Sequence, residues 1–369
     1  MNEKFSIATR NVAEPMEKFL LTEEDLKKLL AEKARGKSYV GFEPSGPLHI
    51  GYFPVIEKMK DLATIGFEPT LLLADLHAFL NRKGPAELIK EVALVHWRKT
   101  FEAIGLNAKY VLGSSYQLSS DYVLDLFILS EHTRVKEAWK AMSMIAREAE
   151  DPRVSQYIYP LMQALDILYL EADIAVGGTD QLKVHVLART VFAETTLRLK
   201  HEKWVPVAVH TPIIKGLTGE KMSSSKPKTH IATFDTPKTI RKKMRSAYCP
   251  PETADPEDNP IFGFLKYIVF PYEEKFLVKR LEKYGGDKEY KSFEEVVKDY
   301  LKGELHPLDL KMGLADYFID RLKNVRTTYE KDPEILKPVY KLQKWQFERG
   351  YIGKEDWQRL EVEYKKYFG

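Results

Sequence analysis

The stretch Ser38-Tyr39-Val40-Gly41-Phe42-Glu43-Pro44-Ser45-Gly46-Pro47-Leu48-His49-Ile50-Gly51-Tyr52 holds a strand, a turn and the start of a helix. Ser38 to Gly41 is a short apolar run. Pro44, Ser45, Gly46 and Pro47 force a turn. An amphipathic pattern then runs from Phe53 to Ile65. A helix start carries free backbone N–H groups and the positive end of the macrodipole, so it suits an anion. His49 can donate to a phosphate oxygen, and Gly51 lets a flat ligand such as a nucleotide lie close to the backbone. His-x-Gly alone says little, because a histidine on a turn fits equally well.

A second stretch shifts that balance. Gly216-Leu217-Thr218-Gly219-Glu220-Lys221-Met222-Ser223-Ser224-Ser225-Lys226 is glycine-flanked, polar and tipped with lysines. Such a loop can place cations and hydroxyls around a polyphosphate.

Between the two stretches, strand and helix alternate. Strand patterns at 38–41, 68–75 and 109–113 are separated by helical patterns from about His49 and from Pro85 to Ile104. This βαβαβ order predicts a parallel sheet with right-handed crossovers. The run Glu68 to Asp75 reads as a strand buried on both faces. Ligands in such sheets bind at the carboxyl ends of the strands. Residues 43–45 and 74–77 fall there, so His77 either faces a ligand or is satisfied by neighbouring backbone. Residues 114–150 read as an inserted helical pair, a natural subunit contact or simple packing on the core. In the helix predicted over 153–171, Tyr159, Gln163 and Asp166 fall at i, i+4 and i+7 and share one face. That polar stripe in an apolar helix serves a polar ligand or a buried network of its own. Pro160 should weaken the helix. Residues 173–181 read as strand, glycine turn and helix start at Gln181, and 204–210, from Trp204 to His210, as the last strand.

Residues 1–37 read as helical. After Lys226 the pattern is helical without strand alternation, at 238–247, 260–269, 293–302 and 309–322. Arg241, Lys242, Lys243 and Arg245 make a basic run, a solvated face that could also meet RNA phosphates. Tyr284, His306 and Asp309 supply aromatic, imidazole and carboxylate groups suited to an unstacked RNA base. Residues 326–369 read as a helical extension, with Trp345 and Trp357 packed on the small domain and no legible role.

The chain has 369 residues, 44% hydrophobic and 30% charged, enough for a large domain and a smaller one. A net charge of +3 leaves any basic surface local. The single cysteine, Cys249, excludes a disulfide framework and a cysteine zinc site and points inside the cell. No run of about 18 apolar residues and no signal-peptide pattern occur, so a soluble cytoplasmic protein without membrane contact is expected.

The two opening stretches, in that order, resemble the nucleotide-binding motifs of class I aminoacyl-tRNA synthetases. From about residue 5 to 325 the chain resembles archaeal and eukaryotic-type tyrosyl-tRNA synthetases. The resemblance rests on Tyr39-Val-Gly-Phe-Glu-Pro-Ser-Gly46, Leu73-Ala-Asp-Leu-His-Ala78, Tyr159-Pro-Leu-Met-Gln163, Ala175-Val-Gly-Gly-Thr-Asp-Gln181, Lys221-Met-Ser-Ser-Ser225 and His306-Pro-Leu-Asp309. It implies an α/β fold: a Rossmann-type catalytic domain over 38–232 with the insertion at about 114–150 carrying a homodimer contact. An all-helical anticodon-binding domain over 233–325 follows. It implies a tyrosine pocket of Tyr39, His77, Tyr159, Gln163, Asp166 and Gln181, with Tyr39 and Asp166 on the phenol hydroxyl and Tyr159, Gln163 and Gln181 on the ammonium. ATP contacts would come from Gly41, Pro44, His49, Gly51, Tyr52, Lys221, Met222 and Ser225. The catalytic set would be His49, Gly51, Lys221, Ser223, Ser224 and Ser225. Tyr284, His306 and Asp309 would read the first anticodon base. The implied partners are L-tyrosine, ATP with Mg²⁺ and tRNA(Tyr), with no protein-held metal. One position departs from the family: its first motif ends in a second histidine, replaced here by Tyr52, a phenol without positive charge near pH 7. Two rivals are a tryptophanyl enzyme on the same scaffold and a non-catalytic RNA-binding relative. A small-molecule nucleotidyltransferase could share the first motif, but it leaves Tyr284, His306 and Asp309 unexplained.

Overall fold

A computed structural model of the chain describes residues 2–146, 150–194, 197 and 205–368. The end of the insertion at 147–149, and Trp204 of the expected last strand, lie outside the described residues. Two compact units result. One comprises residues up to 45 with 55–98 and 105–213; the other comprises 46–54, 99–104 and 214 onwards.

The first unit is built on a six-stranded sheet. Its strands are β1 (Leu20–Leu21), β2 (Gly36–Phe42), β3 (Phe67–Leu73), β4 (Lys109–Leu112), β5 (Ile174–Gly178) and β6 (Val207–Thr211). The spatial order is β1-β6-β5-β2-β3-β4. From β6 to β4 every pair is parallel, as the apolar runs predict. The chain moves outward from β2 through β3 and β4, then resumes at β5 on the other side of β2. That reversal opens a crevice at the carboxyl ends of β2 and β5. Gly41 lies in central β2 yet is exposed, whereas Tyr39, Val40 and Phe42 are buried.

The N-terminal segment corrects the sequence reading. Helices Asn2–Thr9, Met16–Phe19 and Glu23–Glu32 are present, but β1 and the opening of β2 also fall within 1–37. Leu20 and Leu21 pair antiparallel with Val209 and Ala208. Two residues are too few to show a strand period. The insertion forms helices Ser120–His132 and Val135–Met142, as expected.

Helix Val154–Tyr169 runs straight through Pro160. An interior proline costs a helix about 3 kcal/mol. Burying Leu161, Met162, Leu165, Ile167 and Leu168 returns about 2 kcal/mol each, so tertiary packing outweighs the local defect.

The second unit is mainly helical: Pro237–Ser246, Pro260–Phe264, Phe293–Leu301, Pro307–Arg321, Lys323–Lys331, Lys337–Glu348 and Lys354–Phe368. It also holds a hairpin of β7 (Phe276–Val278) and β8 (Lys288–Tyr290), which the helical reading omitted because such short strands carry no clear alternation. Tyr329 Oη bonds Thr100 Oγ1 at 2.7 Å and Thr233 Oγ1 at 2.9 Å, which ties in the segment 99–104. Trp357 packs on Tyr340 and Phe347, and Trp345 on Tyr351, so both tryptophans consolidate the extension itself. No helix among the described residues is long and apolar enough to cross a membrane.

Candidate active site

In the first unit, side chains from four segments converge at the carboxyl ends of the strands. Tyr39 comes from β2, His77 from the helix after β3, Tyr116 and Gln117 from the turns after β4, and Asp166 from helix Val154–Tyr169. Asp166 is fully buried and its two oxygens are treated differently. Oδ1 accepts from Tyr116 Oη at 2.6 Å, Gln117 Nε2 at 2.8 Å and Tyr122 Oη at 2.9 Å. Oδ2 makes no hydrogen bond among the described residues, with His77 Nε2 at 3.4 Å but poorly aligned. Burial raises the Asp166 carboxyl above the usual range, opposed by His77 and by the three donors.

Tyr39 is 1% exposed, and its hydroxyl also makes no hydrogen bond among the described residues. Burial, then the Asp166 charge, raises its phenol. A Cβ on Gly41 would stand 2.8 Å from that hydroxyl, so a side chain there would crowd it. Buried polar atoms are normally bonded, so Tyr39 Oη and Asp166 Oδ2, with His77 Nε2 and Gln117 Oε1 of the same cluster also unbonded, mark a candidate binding surface. The Tyr39 and Asp166 oxygens stand out as a facing donor and acceptor. They suit a ligand hydroxyl that donates to the carboxylate and accepts from the phenol.

The other polar stripe residues lie nearby. Gln163 Nε2 donates to Gln181 Oε1 at 2.9 Å, which leaves Gln163 Oε1 buried and unbonded. Tyr159 is held by Glu43, whose Oε1 accepts from Asn81 Nδ2 at 2.9 Å. His77 meets the Tyr159 ring edge-on at 4.6 Å. Thus all six residues expected around tyrosine fall in one unit. Sequence reasoning missed Tyr116, Gln117 and Tyr122; the one available signal was polar residues just beyond the carboxyl end of β4.

A Tyr39→Phe variant should separate stability from binding. It removes a buried unbonded hydroxyl, so its thermal midpoint should be no lower than the parent's. The KM for the amino acid should rise about tenfold, the worth of one hydrogen bond in a dry pocket.

In the second unit the two opening motifs touch. A Cβ on Gly51 would stand 2.9 Å from Met222 Sδ and 2.9 Å from the His49 ring. A Cβ on Gly46 would stand 2.6 Å from Ser224 Cβ. These two glycines are what allow the turn and the lysine-serine loop to meet. His49 Nδ1 accepts from Gly51 N at 3.2 Å, which leaves Nε2 to carry the ring proton. Burial, then Lys243, lowers His49 to about 3. His49 packs on Tyr52 at 4.5 Å and on His230 at 4.7 Å. The loop is pinned locally: Ser223 N donates to Thr229 Oγ1, just after it, at 3.1 Å, and Ser223 Oγ meets Ser225 Oγ at 3.0 Å. Lys221 pairs with Lys215 in an isolated antiparallel bridge. Gly41 and Pro44, expected with ATP, belong to the first unit rather than to this cluster.

Tyr284 is 60% exposed, at the end of the turn Glu282–Tyr284. His306 caps helix Pro307–Arg321, and Asp309 lies in its first turn. Arg280, unremarked in the sequence, joins the two loops: Nε donates to Gly286 O at 3.0 Å and Nη1 to Glu304 O at 3.0 Å. In the basic run, Arg241 pairs with Asp316, and Lys243 with Asp235 at 2.6 Å. Those two cations are already engaged internally.

Residues 31–323 match the family model described as tRNA synthetases class I (W and Y). That model spans tyrosine and tryptophan enzymes alike. The tyrosine–tRNA ligase of Methanopyrus kandleri is 48% identical over 330 residues, covering 88% of this chain and 97% of that protein. The tyrosyl-tRNA synthetase of Archaeoglobus fulgidus, solved with L-tyrosine, is 47% identical with a TM-score of 0.80, covering 88% of this chain and 98% of that one. The chain belongs to the archaeal-type tyrosyl-tRNA synthetases. The tryptophanyl-tRNA synthetase of Aeropyrum pernix, at 19% identity and a TM-score of 0.65, covers 87% of this chain and shares the fold alone. Membership makes the protein a class I aminoacyl-tRNA ligase with ATP as a substrate, and the Rossmann-type sheet with a helical C-terminal region matches the fold expected from the sequence.

Proposed function

We propose that the protein activates L-tyrosine with ATP to tyrosyl-adenylate and pyrophosphate, then passes tyrosine to the 3′-terminal ribose of tRNA(Tyr). The observation that carries this reading is the pair of buried, unbonded oxygens on Tyr39 and Asp166. They match a phenol hydroxyl, which can donate to the carboxylate and accept from Tyr39; an indole N–H can donate to the carboxylate but offers nothing to accept from Tyr39. Gln163 Oε1 and the Tyr159 hydroxyl would take the ammonium, with Gln181 holding Gln163 in place.

The tyrosine carboxylate attacks the α-phosphorus. The new O–P bond replaces the bond to the bridging oxygen, and pyrophosphate leaves. The substrate supplies the nucleophile, so the protein contributes orientation and charge. His49 Nε2–H, the Gly51 backbone and the loop Lys221–Ser225 would hold the phosphates, with Tyr52 as an uncharged donor. The ribose hydroxyl then attacks the tyrosyl carbonyl and AMP departs. Tyr284, His306 and Asp309, aligned by Arg280, would read the anticodon. On this reading residues 38–232 are catalytic and 233–325 bind the anticodon. Exposed Leu124, Phe127 and Val135 on the inserted helices support a homodimer contact, and the translation role supports a cytoplasmic site.

His49 gives a pH test. Its folded-state value lies below the ordinary 6.5, at about 3, so the ring stays neutral throughout pH 5–8. The exchange rate should therefore show no inflection near pH 6.5 from this group. An inflection there that vanishes in His49→Gln would contradict a neutral donor.

ATP–pyrophosphate exchange with tyrosine, tryptophan and phenylalanine tests the function directly. Exchange with tyrosine alone is expected. Exchange with tryptophan would reassign the pocket, and none with any of them would favour a non-catalytic RNA-binding role.

A further inference from the structure

The lysine-serine loop is held by a part of the chain that the family model does not reach. Gln343 lies on helix Lys337–Glu348, beyond the last matched residue, 323. Its side chain is 0% exposed, and both ends of its amide are bonded. Nε2 donates to Ser224 O at 2.8 Å, and Oε1 accepts from Tyr364 Oη at 2.6 Å. Tyr364 is itself buried on helix Lys354–Phe368 and stacks on Phe234 at 4.7 Å. The same amide nitrogen would stand 3.8 Å from a Cβ on Gly46, the turn glycine against which Ser224 packs.

An amide buried this completely is stable only when its hydrogen bonds are made. Its donor has one distant partner, the carbonyl of the central serine of the loop. Thr229, just after the loop, restrains Ser223, and Gln343, on a distant helix, restrains Ser224. Helix Lys354–Phe368 is anchored on the segment after the loop as well, through Glu363 Oε2, which accepts from Thr239 Oγ1 at 2.9 Å.

We infer that Gln343, locked by Tyr364, is a positioning residue that sets the lysine-serine loop against the Gly46 turn, and that residues 326–369 serve ATP binding. This rests on the reading of the loop as an ATP contact. Gln343 touches no substrate. It acts through the backbone of Ser224, so its loss should raise the KM for ATP and spare the KM for tyrosine, whose proposed contacts all lie in the first unit.

The test uses the full chain with Gln343→Leu, which keeps most of the volume and removes the donor. Tyr364→Phe serves as a gentler variant that removes only the donor to the amide oxygen. Two readouts are taken: exchange kinetics with each substrate varied, and trypsin cleavage after Lys221 without nucleotide. One lost hydrogen bond is worth roughly a factor of three to ten. Gln343→Leu should therefore raise the KM for ATP and the cleavage rate each about tenfold, with the KM for tyrosine within about twofold. Tyr364→Phe should move both in the same direction by less. Unchanged ATP KM in both variants, or equal shifts in both KM values with a lower thermal midpoint, would overturn the proposal. Failure of the parent to exchange with tyrosine would instead overturn the functional reading, and the cleavage rates would still report on the clamp.

Discussion

An Asp166→Asn variant is expected to lose about two to three orders of magnitude in kcat/KM for tyrosine and to stay within a few fold for phenylalanine. The asymmetry follows from the two oxygens. Asparagine keeps an acceptor at Oδ1 for Tyr116, Gln117 and Tyr122, so the buried network survives. At the Oδ2 position an N–H₂ replaces the acceptor. The substrate hydroxyl then loses the group that takes its proton, and that charge-assisted bond is about twice as strong as a neutral one. Phenylalanine never used it. For enzymes of this type, discrimination on the order of 10⁵ without editing is a measured property of the type rather than a product of this geometry. Asp166→Ala is the poorer probe, because it also strips three donors of their acceptor and so costs stability. If Asp166→Asn keeps the parent's ratio of kcat/KM for tyrosine over phenylalanine, the phenol is not bound at Asp166.

Lys221→Ala should slow pyrophosphate exchange by about 10²–10³ at saturating substrates, the usual effect of removing one preorganised charge from a transition state. Lys221 is exposed on the loop. Its removal should leave the thermal midpoint within about one degree, as for most surface substitutions. Lys221→Arg should recover part of the rate, because the charge returns with a different geometry. Exchange within a few fold of the parent would remove Lys221 from the phosphate contacts.

The elements that the sequence disclosed are those whose physics is local or periodic. Buried parallel strands are written as apolar runs, and prolines and glycines mark the turns between them. The face shared by Tyr159, Gln163 and Asp166 follows from helical spacing alone. The partners that hold Asp166 Oδ1 do not. Tyr116, Gln117 and Tyr122 reach it across about fifty residues or fewer of chain, a distance no period can span. The same holds for Gly46 against Ser224, Gly51 against Met222 and Gln343 against the loop. β1 and the β7–β8 hairpin were missed because strands this short carry no alternation. Pro160 was judged on propensity, where burial decided the outcome.

β1 has a consequence for how the protein survives in a crowded solution. β6 is buried along its whole length, and its outer edge is covered by Leu20 and Leu21 and by Ala13, whose N donates to His210 O at 2.9 Å. Without this N-terminal segment one side of it would be a bare row of amide and carbonyl groups. Such a row is a template for a strand from another molecule. A reversed dileucine shuts that template, since an antiparallel pair stops a parallel sheet from growing. The N-terminal segment thus does for self-association what a cap does for a helix end. A chain begun after residue 21 would lose this cover and be prone to clump.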